Sequence, residues 1–156
     1  MVKIVTGNIN SGKTTRIHHI FKQNKQGDGF IQLKVMYKDQ VHRYDCLFLK
    51  RNVKKTIAYH QTFYNHQFKT PLYYGPYVFN QELFDEMIKY VDQLIKEGIT
   101  PIYLDEIGML EINQQGYATI LKKVLARNIE LIIVCKETLI NKVIETFEIE
   151  AYEIIR

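Results

Sequence analysis

Gly7-Asn8-Ile9-Asn10-Ser11-Gly12-Lys13-Thr14-Thr15 follows the apolar run VKIVT at residues 2–6. The spacing is G-x-x-x-x-G-K-[ST], and each position has a physical reason. A phosphate chain is held by several backbone N–H groups turned inward together. Side chains at the turning points would obstruct them, and Gly7 and Gly12 stand at those points. A helix is expected from Thr14 to about Lys25, with Ile17, Ile20 and Phe21 on one face, and its positive end would point at the same anion. Lys13 supplies a mobile cation for β- and γ-oxygens, and the Thr14 hydroxyl suits Mg²⁺. Thr15 would reach the α-phosphate. Chance produces this pattern in a chain of 156 residues only on the order of half a percent of the time. Residues 7–15 are therefore expected to form a P-loop that binds a nucleoside triphosphate, ATP or GTP.

A cradle alone does no chemistry, so a second, acidic half is required. The segment IYLDEIGMLE, residues 102–111, delivers Asp105 and Glu106 at the C-terminal end of an apolar strand. In a parallel sheet that edge also carries the glycine-rich loop. Asp105 is then placed to bind Mg²⁺ opposite Thr14. Glu106, immediately after it, is placed to orient or deprotonate a water that attacks the γ-phosphate. Glu106 and Lys13 are thus the catalytic candidates, with Thr14 and Asp105 as the metal pair. The strand ELIIVC ends in Lys136-Glu137-Thr138, which reads first as an ordinary helix start; the sharper reading is that this edge faces the same crevice and one of its polar groups senses the γ-phosphate.

The rest of the chain supports an α/β fold. From Phe30 to Tyr59 the apolar period is two, with turns at residues 38–40 and 51–52, which predicts an antiparallel meander of about three strands. Residues 60–76 read as loop. Asn80 is a suitable N-cap for a helix whose stripe is Leu83, Met87, Val91, Leu94 and Ile95, and Gly98 ends it. Helices over about 114–127 and 137–147 alternate with strands, so a mainly parallel sheet covered by helices on both faces is expected. At 156 residues, one domain spanning 1–156 is expected.

An apolar share of 46% with 24% charged residues excludes a disordered chain. No apolar run approaches the roughly 20 residues that span a bilayer, so no membrane partner is expected. The first residues lack a secretory pattern, which makes the cytoplasm the default location. Cys46 and Cys135 have no metal-type spacing and read as reduced thiols. Seven cations stand against two acids between Lys38 and Lys69, mixed with tyrosines. That strip reads first as a solvated strand face; a nucleic-acid contact is the weaker reading. Nothing in the sequence sets an oligomeric state.

The segments GNINSGKTT, GFIQLKVMY, YGPYVFNQELFD and LDEIGMLE, in this order over most of the chain, resemble the small P-loop nucleoside-triphosphatases of archaea and bacteria. Their animal members are called cancer-related nucleoside-triphosphatases. The resemblance implies a RecA-like sheet with an inserted antiparallel region and slow, Mg²⁺-dependent hydrolysis of several triphosphates. Lys13, Thr14, Asp105 and Glu106 match the family's site, and so does Glu111, for which the sequence suggests no physical role. Where the family commonly has a hydroxyl residue after the Gly-aromatic pair, Ile31 and Gln32 stand here.

Two other readings compete. A small-molecule or nucleotide kinase generally needs an arginine-bearing lid. The five arginines, Arg16, Arg43, Arg51, Arg127 and Arg156, form no such cluster. A non-catalytic adaptor would bind nucleotide and dock its basic meander on nucleic acid or protein. Hydrolysis uses the acidic pair most fully. Lys13→Ala is expected to abolish binding of ATP and GTP in titration calorimetry.

Overall fold

Alternation at two different periods builds this molecule, and the computed structural model describes it over residues 1–7 and 12–156. Strand β1 (Val2–Val5) leads to helix α1 (Lys13–Asn24). Three long strands follow: β2 (Asp28–Tyr37), β3 (Gln40–Phe48) and β4 (Val53–His60). Next come β5 (Pro71–Tyr74), β6 (Tyr77–Asn80) and α2 (Gln81–Lys96). Strand β7 (Ile102–Ile107) precedes α3 (Met109–Ile112) and α4 (Ala118–Ala126). The chain then runs through β8 (Leu131–Cys135), α5 (Ile140–Thr146) and β9 (Tyr152–Ile155).

Among the described residues nine strands form one sheet, in the order β5-β6-β4-β3-β2-β7-β8-β1-β9. Strands β2, β7, β8, β1 and β9 are mutually parallel. Strands β3, β4, β6 and β5 extend the sheet with antiparallel ladders. The expected α/β class and inserted meander are therefore both present.

Successive residues of a strand point to opposite faces, and here both faces are buried. In β7, Ile102 and Leu104 face one layer while Tyr103 faces the other. In β8 the same split separates Leu131, Ile133 and Cys135 from Ile132 and Val134. Helix α1 covers one face with Ile17, Ile20 and Phe21. Helices α2, α4 and α5 cover the other, where Phe30, Phe48, Phe84, Met87 and Tyr117 are buried. Each such apolar side chain contributes roughly 1.5–3 kcal/mol by leaving water. Helix α2 follows its sequence signals closely. The Asn80 side chain accepts a bond from the Leu83 amide at 3.3 Å, and left-handed Gly98 lets the Ile99 amide reach the Leu94 carbonyl at 3.0 Å.

The structure differs from the sequence reading at three places. Residues 60–76 are not all loop. A short 3₁₀ turn (Gln61–Phe63) is capped by the His60 ring, which accepts from the Thr62 amide, and β5 then pairs with β6. Four-residue strands put only two side chains on each face, too few for a period to show. The helix expected over 114–127 starts only at Ala118, as α4, because Gln114 and Gly116 are left-handed, and a separate short helix, α3, precedes that break. The helix expected from 137 begins as a 3₁₀ turn, Glu137–Leu139. Cys46 and Cys135 are free and buried, and burial pushes both thiols up to about 12. Among the described residues no helix is long and apolar enough to cross a membrane.

One glycine sets how closely the meander joins the parallel half. Gly29 has φ 153°, and a Cβ built there would lie 2.0 Å from the Tyr103 carbonyl oxygen of the paired strand. Backbone on both sides cannot yield cheaply. Gly29→Ala is expected to destabilise the protein by about 1–3 kcal/mol or more, read as a lower urea midpoint at unchanged slope.

Candidate active site

The C-terminal ends of β1, β7 and β8 open onto one cleft of about 540 Å³. Gly12, Lys13, Thr14 and Thr15 border it from the start of α1, Glu106 from β7, and Lys136 from the end of β8. Gly12 is left-handed at φ 79°, a conformation that favours glycine, and its carbonyl accepts from the Arg16 amide at 2.9 Å to begin α1. Gly7 is half-buried after β1. Asn8, Ile9, Asn10 and Ser11, the remaining residues of the expected cradle, lie outside the described residues.

The two halves of the site meet. Strand β8 lies between β1 and β7, so Thr14 and Asp105 must reach toward each other across its end. The Thr14 hydroxyl Oγ1 donates to Asp105 Oδ2 at 2.8 Å. The Gln32 backbone amide of β2 donates to the same oxygen at 3.0 Å. Asp105 is fully buried, and among the described residues its Oδ1 has no hydrogen-bond partner. Burial and then the neighbouring Glu106 charge push its carboxyl up to about 7, against the opposing bonds from Gln32 and Thr14. A cation at Oδ1 would remove that penalty. Thr14 and Asp105 are hard oxygen donors of the kind that Mg²⁺ takes alongside phosphate oxygens and water, so the residues fit such an ion.

Glu106 is oriented by its backbone. Asp105 is buried and Glu106 exposed. The β7–β8 register shifts between Leu104 and Ile107, and Glu106 has φ 59°. A left-handed glutamate costs roughly 1–2 kcal/mol. That turn lets the strand end with one carboxylate inward and the next at the cleft wall.

Glu111, without a role in the sequence reading, proves to be the fastener behind this turn. Its Oε1 accepts from the Gly108 amide at 2.8 Å and its Oε2 from the Tyr117 amide at 3.1 Å. It is buried, and burial pushes its carboxyl up to about 7 against those two bonds. A Cβ at Gly116 would sit 2.3 Å from Oε2, which explains the glycine there.

Sequence reasoning missed Gln32 and Tyr44, which also border the cleft. No period or spacing distinguishes them from other strand positions. Tyr64 packs near Phe68 and Tyr73, while Tyr74 and Tyr77 border a second cavity together with Glu106. In the meander, Arg43 is tied to Asp45 at 3.0 Å and Lys55 to Glu86 at 2.7 Å. A larger groove of about 990 Å³, bordered by Asp28, Arg51 and Tyr90, opens at the opposite end of the sheet. Size does not make it the reacting site: the side-chain oxygens of Asp28 are already engaged by Gly29, Lys50 and Tyr90.

Comparison with known proteins agrees with the fold. The crystal structure of THEP1 from the hyperthermophile Aquifex aeolicus superposes with a TM-score of 0.76 at 20% identity, over 100% of this chain and 89% of the other. The solution structure of a human cancer-related nucleoside triphosphatase gives a TM-score of 0.64 at 16% identity, over 98% and 86%. No curated protein matches the sequence. A family model described as NTPase matches residues 3–156, and the chain belongs to that NTPase family.

Proposed function

We propose that residues 1–156 act as one P-loop domain that hydrolyses nucleoside 5′-triphosphates to diphosphate and phosphate in the presence of Mg²⁺. The observation that carries this reading is the 2.8 Å contact between Thr14 and Asp105, with Glu106 next in the chain and exposed at the cleft.

The chain's own groups divide the work. The amides of residues 7–15 and the Lys13 ammonium hold the triphosphate and stabilise the charge that spreads over the γ-phosphoryl oxygens. Thr14 and Asp105 would hold Mg²⁺, which when bound neutralises charge on the β- and γ-oxygens. Gln32 keeps Asp105 Oδ2 engaged, which leaves Oδ1 for the ion. Glu106 orients the attacking water and accepts its proton. Lys136, which follows β8 and borders the cleft, would sense the γ-phosphate. Among the described residues no arginine borders the cleft, so unassisted turnover should be slow.

A phosphate-release assay over ATP, GTP, CTP and UTP, with and without Mg²⁺, tests the activity; no release under any condition refutes it. Glu106→Gln should bind nucleotide as the wild type does and hydrolyse it about 10²-fold more slowly or worse. Wild-type turnover in that variant would refute the base assignment. Glu106→Gly should be equally slow yet more stable, by about 1 kcal/mol, because it removes the left-handed strain; equilibrium unfolding reads that gain.

A further inference from the structure

Past Glu106 the cleft continues into a second chamber of about 390 Å³. Gln32, Tyr44, Glu106 and Lys136 border both spaces and so form the passage between them. The attacking water needs only about 30 Å³, less than a tenth of this room. The chamber instead falls in the range of about 300–1,000 Å³ that small-molecule sites occupy.

Its walls say what would fit. Rings come from β3 (Tyr44), from the hairpin of β5 and β6 (Tyr74, Tyr77) and from Phe79, with Met109 and Leu139 opposite. Those rings are held in place. Tyr44 and Tyr77 meet edge to face at 5.4 Å, and the Tyr74 hydroxyl accepts from Asn113 Nδ2 at 3.2 Å. Met109 stays 37% exposed instead of entering the core. The Glu111 carboxylate on this side is already engaged by two amides. Open polar groups therefore collect at the Glu106 passage, while the far part is aromatic. Among the described residues Lys136 is the only cation on the chamber wall, and it is shared with the triphosphate cleft. A ligand for such a chamber has a flat apolar body, a hydroxyl at one end and no phosphate of its own.

We propose that this chamber binds a neutral nucleoside as a phosphoryl acceptor, so that the site transfers the γ-phosphoryl group to a nucleoside hydroxyl as well as to water. The proposal rests on the hydrolase reading of the adjoining cleft, and because among the described residues no arginine borders either space, the transfer is as slow as the hydrolysis and accompanies it without replacing it. The acceptor oxygen bonds to the γ-phosphorus while the bond from that phosphorus to the β–γ bridging oxygen breaks. The bonding electrons leave with the nucleoside diphosphate. The hydroxyl proton passes to the Glu106 carboxylate and on to solvent, and the second product is a nucleoside monophosphate. Hydrolysis is the same displacement with the chamber filled by water.

The full chain is incubated with Mg²⁺, ATP labelled at the γ-phosphate, and adenosine, guanosine, cytidine, uridine or thymidine in turn. Label is then separated into inorganic phosphate and nucleoside monophosphate. Label in the monophosphate of at least one nucleoside is expected. Tyr77→Ala should lower the ratio of transfer to hydrolysis by about tenfold or more, the loss carried by one stacking ring, and Tyr77→Phe should keep the ratio. Label confined to inorganic phosphate with every nucleoside overturns the acceptor proposal and leaves the hydrolase reading standing. A ratio unmoved by Tyr77→Ala overturns the assignment of this chamber. No release of label in any form overturns both readings.

Discussion

A single hydroxyl–carboxylate contact, Thr14 to Asp105, joins the two halves of this molecule's chemistry. The partners lie 91 residues apart and on elements separated by β8. The contact exists because β1, β8 and β7 are in parallel register, with Val5 beside Val134 and Leu104 beside Ile133. A slip of one residue in the β7–β8 ladder would turn Asp105 to the opposite face, and a slip in the β1–β8 ladder would displace the start of α1 that carries Thr14. The side chains that prevent the slip are the alternating aliphatics buried on both faces. Core packing and site geometry are thus one constraint.

The site also carries costs that the fold absorbs. Asp105 is buried with one oxygen unpartnered among the described residues, and Glu106 is held in a left-handed conformation. Both features are unfavourable in isolation, and their adjacency adds like-charge repulsion. The Glu111 carboxylate, gripping the amides of Gly108 and Tyr117, ties down the segment that follows. Glu111 thus has both carboxylate oxygens bonded, whereas Asp105 takes both of its bonds on Oδ2. The arrangement keeps two acidic groups poised at one wall without letting the chain relax around them.

Much of this was legible in the residues. Gly7, Gly12 and Lys13 stand out by a spacing that suits a phosphate cradle, and Asp105 and Glu106 by ending an apolar strand. Asn80, Gly98 and the stripe of α2 mark a helix with both of its ends. What could not be read falls into two kinds. Short elements, β5, β6 and α3, have too few residues per face for any period to register. Gln32, Tyr44 and Tyr77 gain their place only through tertiary pairing: β2 against β7, and β4 against β6. Glu111 was visible as a matching letter, but its meaning lies in two backbone amides that only the folded turn brings together.

The borders of the sheet carry one further consequence. Both outermost strands, β5 and β9, are four residues long. Exposed strand borders invite neighbouring molecules to add on, and brevity is one of the defences that natural sheets use. At the β9 side the terminal Arg156 also pairs with Glu137 at 2.6 Å, fastening the last strand to the turn that follows β8. Strand β1, which leads toward the glycine-rich segment 7–15, lies just one strand in from that border. Its shield against unwanted self-association is therefore a thin one, and the integrity of the nucleotide end of the molecule is bound up with the docking of its final few residues.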